Sequence, residues 1–307
     1  MPRSSGAGSA AVRAHARSGL YLSDGRWLAW REFGAPAGIP VIYCHGFPGC
    51  SAEAGILAQA AGHVGIRLIA PDRPGFGQSS PSNEARLSTW PADVDALLRH
   101  LGLERCRMLG MSGGGPYALA CGAALGSRVE AIALLGALGP LDTPEARRGM
   151  SPMARASVYL ARRHPCLQAA LFHALAALLR RAPAVVLRLM LAGEAAADRA
   201  VLAEPALRDT LLGGMRGAVR QGARPAIAEL RAYAARWPFT LADVSVDVVL
   251  WHGEDDPVVP PQHAHTMAGE LPRASCRLLP GEAHFSLPID WGGEIFRALG
   301  SVQPRPE

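Results

Sequence analysis

Short apolar runs closed by glycine or proline alternate along most of the chain with stretches in which apolar residues recur at helical spacing. LYLSDGRWLAWREFG (20–34) carries an Asp-Gly pair between two strand-like runs and predicts a hairpin. VIYC (41–44) and RLIA (67–70) read as buried strands, with a helix near 52–63 between them. WPADVDALLRHLGL (90–103) has helical spacing, and RML (107–109) and VEAIALLGAL (129–138) are further strand-like runs. Strands that alternate with helices predict a parallel sheet covered on both faces, an α/β architecture.

The alternation stops near Pro140 and resumes at VDVVLWHG (246–253). The roughly hundred residues between read as helices broken at Pro165, Pro183, Pro205 and Pro238. The sheet pattern continues afterwards, so an inserted helical cap is expected over 141–240, with the α/β core made of 19–140 and 241–307. Residues 1–18, rich in small residues, serine and arginine, are expected to be a disordered tail, with a targeting segment as the alternative.

The 307 residues allow one large domain or a core with an insertion, and 49% hydrophobic content supplies a sizeable interior. Charge divides the chain in two: residues 141–240 hold fifteen arginines against seven acids, leaving sixteen against nineteen elsewhere. All positive residues are arginine, which excludes Schiff-base chemistry, a pyridoxal linkage and a Walker-type phosphate loop. The six cysteines lack paired or metal-ligand spacing and read as reduced thiols, pointing to a cytoplasmic location. His252, Asp255, Asp256, His263 and His265 are of metal-ligand types, but i and i+2 positions on a helix diverge, and no metal site is expected.

The candidate chemistry begins at GMSGG (110–114), between a strand-like run and a helix-like one. A turn that lifts a side chain out of such a junction strains its central residue and needs small neighbours, so Ser112 is expected as a nucleophile whose hydroxyl faces a cleft. A dinucleotide loop would require GxGxxG, which GMSGGG does not match. A serine needs a histidine base oriented by a carboxylate. WHGEDDPVVP (251–260) and RLLPGEAHFSLP (277–288) each follow a strand run and supply them. His284 is the expected base because His263 and His265 fall in a helix-like segment, while local chemistry leaves Asp255 and Asp256 open. The oxyanion of an acyl intermediate requires main-chain donors, expected from the N–H of Gly113 and, in the HGFPG loop (45–49), of Phe47.

HGFPG, DRPGFGQSS, GMSGG, GEDDPVVP and GEAH, in this order from about residue 20 to 298, resemble the α/β-hydrolase superfamily in its lid-bearing branch. The resemblance implies a mostly parallel eight-stranded sheet with helices on both faces, an inserted helical cap and no cofactor. It also places the triad acid at Asp256, three residues after Gly253, and gives Asp72, Gly75 and Gly77 a structural role. Epoxide hydrolases of the fold carry an aspartate where this chain has Ser112. Its prolyl aminopeptidases carry a tryptophan where this chain has Gly113.

The expected function is carboxylic-ester hydrolysis through an acyl-enzyme, on a small-molecule acyl or ester substrate. The alternatives are a carbon–carbon bond hydrolase or cofactor-free perhydrolase on the same residues, and a non-catalytic ligand receptor. In the cap, Leu167, Leu171, Leu175 and Leu179 recur every four positions, and no acid occurs between Glu145 and Glu194, where there are eight arginines. A core-facing leucine stripe with solvated charges is the expected arrangement; contact with an anionic membrane is the alternative. Nucleic acid is not an expected partner, because no aromatic platform or recognised module accompanies the arginines.

Overall fold

A computed structural model describes residues 18–82, 87–142, 147–191, 193 and 195–301. The stretch read as a tail lies outside them except Ser18, which opens the first strand by pairing with Trp30. Eight strands form one sheet: β1 (Ser18–Tyr21), β2 (Trp27–Gly34), β3 (Ile39–Cys44), β4 (Ile66–Pro71), β5 (Cys106–Met111), β6 (Val129–Leu135), β7 (Asp247–Gly253) and β8 (Ala274–Leu279). Their order is β1-β2-β4-β3-β5-β6-β7-β8. β2 runs antiparallel to β1 and β4, and every other pairing is parallel.

Because helices cover both faces, the central strands are apolar on both sides, which is why they read as continuous hydrophobic runs rather than alternating ones. On β3, Ile42 and Cys44 enter one core with Trp90, Val94 and Tyr117, while Val41 and Tyr43 enter the other with Leu57, Ile295 and Phe296. The first core is covered by α2 (Trp90–His100) and α3 (Gly115–Ala124), and the second by α1 (Ala58–His63) and α11 (Ser286–Gly300). α10 (Gln262–Glu270) packs beside β7 and β8.

Between β6 and β7 the described residues form the cap: α4 (Pro152–Arg163), α5 (Pro165–Arg181), α6 (Pro183–Leu191), α7 (Ala196–Val201), α8 (Pro205–Ala218) and α9 (Arg224–Ala234). Prolines 165, 183 and 205 occupy the first helical position, where the missing N–H costs nothing, so each begins a helix as well as ending the one before. The expected core-facing leucine stripe is only partly so. Leu179 is buried, but Leu167, Leu171 and Leu175 are exposed, because α5 turns Gln168, Ala176 and Leu179 inward instead. No helix among the described residues is long and apolar enough to cross a membrane.

Candidate active site

Ser112 follows the last residue of β5 and has φ 53°, the one positive value at a non-glycine among the described residues. An L-residue there is strained by roughly 1–3 kcal/mol and persists only when its surroundings impose it. They do so by proximity. A Cβ on Gly110 would lie 2.8 Å from the Gly115 Cα, and one on Gly113 would lie 2.7 Å from both the Phe47 Cβ and the Tyr233 hydroxyl. Three residues of tight helical turn, Ser112–Gly114, then lead into α3, so the positive end of that helix lies beside the serine.

The HGFPG loop follows β3. His45 is buried and neutral, since burial and the nearby Arg73 charge hold its imidazole well below the usual range. Its Nδ1–H donates to the Gly46 carbonyl at 3.0 Å, and its Nε2 accepts from the Arg73 N–H at 3.2 Å. The Arg73 guanidinium donates to the carbonyls of His45 and Gly46. On the other side, Glu53 Oε1 accepts from the Gly46 N–H at 2.7 Å and the Tyr43 hydroxyl at 2.6 Å. Burial pushes the Glu53 carboxyl up against these stabilising bonds. The loop is therefore held at both donors and acceptors, with the Phe47 side chain close against Gly113.

β7 ends in the GEDD turn. Asp256 Oδ1 accepts from the N–H groups of Val258 at 2.8 Å and Val259 at 2.9 Å, while Oδ2 lies 2.7 Å from His284 Nδ1. Asp255 is exposed, its N–H donating to the Glu282 carbonyl at 3.0 Å. Of the adjacent acids, only Asp256 meets the imidazole. With Nδ1–H assigned to that bond from the network, Nε2 is the acceptor. Gly136, at the end of β6, leaves room for the pair: a Cβ there would lie 3.1 Å from Asp256 Oδ2 and 3.2 Å from His284 Nδ1.

Ser112 and His284 line one cavity of about 70 Å³, with Phe47, Met111, Leu211 and Met215 as its apolar walls and Glu53 as a polar one. Five neighbours were not picked out in the sequence. From the cap, Asp198 on α7 accepts from the N–H groups of His284 (3.1 Å), Phe285 (2.8 Å) and Ser286 (2.8 Å), fixing the loop that presents the imidazole. From α9, Glu229 pairs with Arg73 at 2.7 Å, both side chains buried. The Tyr233 hydroxyl, 2.5 Å from Glu229 and 2.7 Å from the Gly113 carbonyl, shares one proton between two acceptors. Glu53 is the fourth. Arg73, the fifth, stands in the DRPGFG motif, whose Asp72 accepts from the N–H groups of Ser51 and Gln78.

Among the described residues no group of three or more histidine, cysteine, aspartate or glutamate side chains could hold a metal ion. His263 instead accepts from the Gly139 N–H through Nδ1 at 2.9 Å. Burial, reinforced by His252, holds its imidazole down to about 4. The unfolded chain binds the proton more readily, so the neutral ring's contribution is complete above about 6.5 and is lost towards pH 4, at up to about 1.4 kcal/mol per pH unit. His263→Asn, which keeps an acceptor near Nδ1, is expected to be less stable than wild type at pH 7. The gap should narrow as the pH falls to 4.5 in urea melts, and a constant gap would contradict this account.

The alpha/beta hydrolase fold model matches residues 39–290. A non-heme chloroperoxidase of Streptomyces lividans is 34% identical over 121 residues, 39% of this chain and 44% of that protein. A proline iminopeptidase of Neisseria gonorrhoeae is 32% identical over 123 residues, 38% of each. The chain thus spans less than half the length of these curated relatives. Among solved structures, an esterase from Exiguobacterium antarcticum superposes with TM-score 0.67 at 20% identity, covering 92% of this chain and 98% of that one. A bromoperoxidase from Bacillus anthracis gives 0.70 at 18%, covering 92% and 99%. These likenesses show the fold, and with a family model matched over most of its length the chain belongs to the alpha/beta hydrolase fold family.

Proposed function

We propose that the protein is a carboxylic-ester hydrolase working through an acyl-enzyme on Ser112. The observation that carries this reading is the strained Ser112 sharing one cavity with a His284 imidazole already paired to Asp256. Ser112 Oγ attacks the ester carbonyl carbon while His284 Nε2 takes the hydroxyl proton. Negative charge on the carbonyl oxygen is met by the N–H groups of Phe47 and Gly113. Collapse of the tetrahedral intermediate expels the alkoxide, which leaves as the alcohol with the proton from His284. Water, giving its proton to the same nitrogen, then attacks the acyl carbon, and the acid departs as Ser112 recovers its hydrogen. Asp256 holds the tautomer and offsets the imidazolium charge.

The cavity is small, about 70 Å³, and mostly apolar in its walls, which suits an acetyl or similarly short acyl group. On p-nitrophenyl esters, kcat/KM is expected to be highest for acetate to butyrate and roughly tenfold or more lower for octanoate. A fluorophosphonate should add its mass to the peptide that contains Ser112. A protein that takes no label and turns over no ester of the series would sink the enzyme reading in favour of a ligand receptor.

The chloroperoxidase relative favours one second reading, perhydrolysis, in which hydrogen peroxide replaces water at the acyl-enzyme. Peracid formation from acetate and peroxide is its assay. An iminopeptidase role is less well supported, because a side chain at Gly113 would strike Phe47 and Tyr233.

A further inference from the structure

The cap carries an exposed surface that the ester chemistry does not use. α5 spans 17 residues, about 25 Å. Along it Leu167, Leu171, Leu175 and Leu178 stand 37–52% exposed. At about 100° per residue they fall within about 80° of arc, so they form a single row. Arginine pairs bound the row at both ends, Arg162 with Arg163 before it and Arg180 with Arg181 after it. Exposed Val185 follows on α6.

The neighbouring α4 adds an open groove of about 920 Å³ lined by Arg147, Arg148, Arg155, Arg162 and Arg163 together with Tyr159, with Asp142 as the one acid among the described residues that line it. Arg162 donates to the Asp142 carbonyl and Arg180 to the Val219 carbonyl, both of them neutral acceptors. α4 and α5 pack on each other and both pack on α9, so their exposed sides turn away from the same support.

We propose that this outer face of α4 and α5 docks the protein on an anionic lipid bilayer. The leucine row enters the headgroup layer and the arginines bind lipid phosphates. Interfacial helices join these two features, a half-exposed apolar row and flanking cations whose stems lie along the apolar boundary. A polyanion such as nucleic acid would engage the arginines and leave the leucines in water. A second copy of the chain would cover the leucines but bring two arginine-rich surfaces together. A bilayer with acidic headgroups satisfies both sets of residues.

The test is flotation of the full chain with vesicles of phosphatidylcholine alone and of phosphatidylcholine mixed with phosphatidylglycerol, at low and high salt. The expected result is flotation with the anionic vesicles only, weakening with salt. Arg162→Ser with Arg163→Ser should weaken partitioning about tenfold or more, and Leu171→Asp with Leu175→Asp should abolish it. All four positions are exposed, so both double variants should keep the wild-type circular dichroism and hydrolyse a water-soluble ester at the wild-type rate. Equal flotation with both vesicle types, or none with either, overturns the proposal. So does binding that depends on the arginines but ignores the leucine changes, the behaviour of a general polyanion surface. A leucine double variant that changes the oligomeric state instead would assign the row to self-association and overturn it equally.

Discussion

Ser112→Ala is expected to lower kcat by about 10⁴–10⁶ and to abolish fluorophosphonate labelling, leaving only what the oxyanion donors and binding provide. The loss should come without unfolding. Alanine and serine share the same steric penalty at φ 53°, so the backbone strain is unchanged and the melting temperature should stay close to wild type. Ser112→Gly separates the two consequences of the turn, because glycine adopts that conformation freely. It should be equally inactive yet stabilised by up to about 1 kcal/mol, after allowance for the greater freedom of its unfolded chain. Ester turnover within tenfold of wild type in either variant would place the nucleophile elsewhere.

The second large effect is expected at Asp256, and its contrast with Asp255 is the informative part. Asp256→Asn keeps an oxygen for the Val258 and Val259 N–H groups, so the turn survives. It replaces the acceptor of the His284 Nδ1–H with an amide that favours the wrong tautomer. In serine proteases that exchange costs about 10⁴ in kcat, and a loss of about 10³–10⁴ is expected here. Asp255→Asn changes an exposed side chain and should leave kcat within about twofold, the small range expected of surface changes. Steady-state rates on a short ester decide between them. Equal losses at both positions would mean that the carboxylate pairing drawn from this geometry does not govern turnover.

Much of this arrangement was legible before any coordinates. The apolar runs 41–44, 67–70 and 107–109 fall on strands, 246–253 begins one residue before its strand and 129–138 runs three residues past its strand, because doubly covered parallel strands must be apolar on both faces while loops beside them can be apolar too. The strained turn at Ser112 was legible because only small neighbours permit it. The choice between Asp255 and Asp256 was not local. It depends on the turn after Gly253, where one carboxylate accepts two main-chain N–H groups and the other points to solvent.

The cap shows where reading from pattern stops. Period-four spacing at Leu167, Leu171 and Leu175 revealed a one-sided helix, but spacing does not say which side is packed. Here Gln168, Ala176 and Leu179 took the inner side. Asp198, Glu229 and Tyr233 look like ordinary members of amphipathic helices. Their partners lie 86 to 88 residues onward for Asp198, and for Tyr233 and Gly113 the separation is 120, so no local motif could announce them.

The bonds from α7 and α9 into the loops of the candidate site bear on protein engineering. Asp198 braces the His284 loop and Tyr233 braces the turn at Ser112, so part of the scaffolding around the candidate site is encoded in the inserted segment. A chimaera that grafts a homologous lid onto this sheet would change the cavity walls that the cap supplies and discard those braces together. Specificity in this chain therefore cannot be exchanged as a module unless an aspartate, a glutamate and a tyrosine travel at equivalent places.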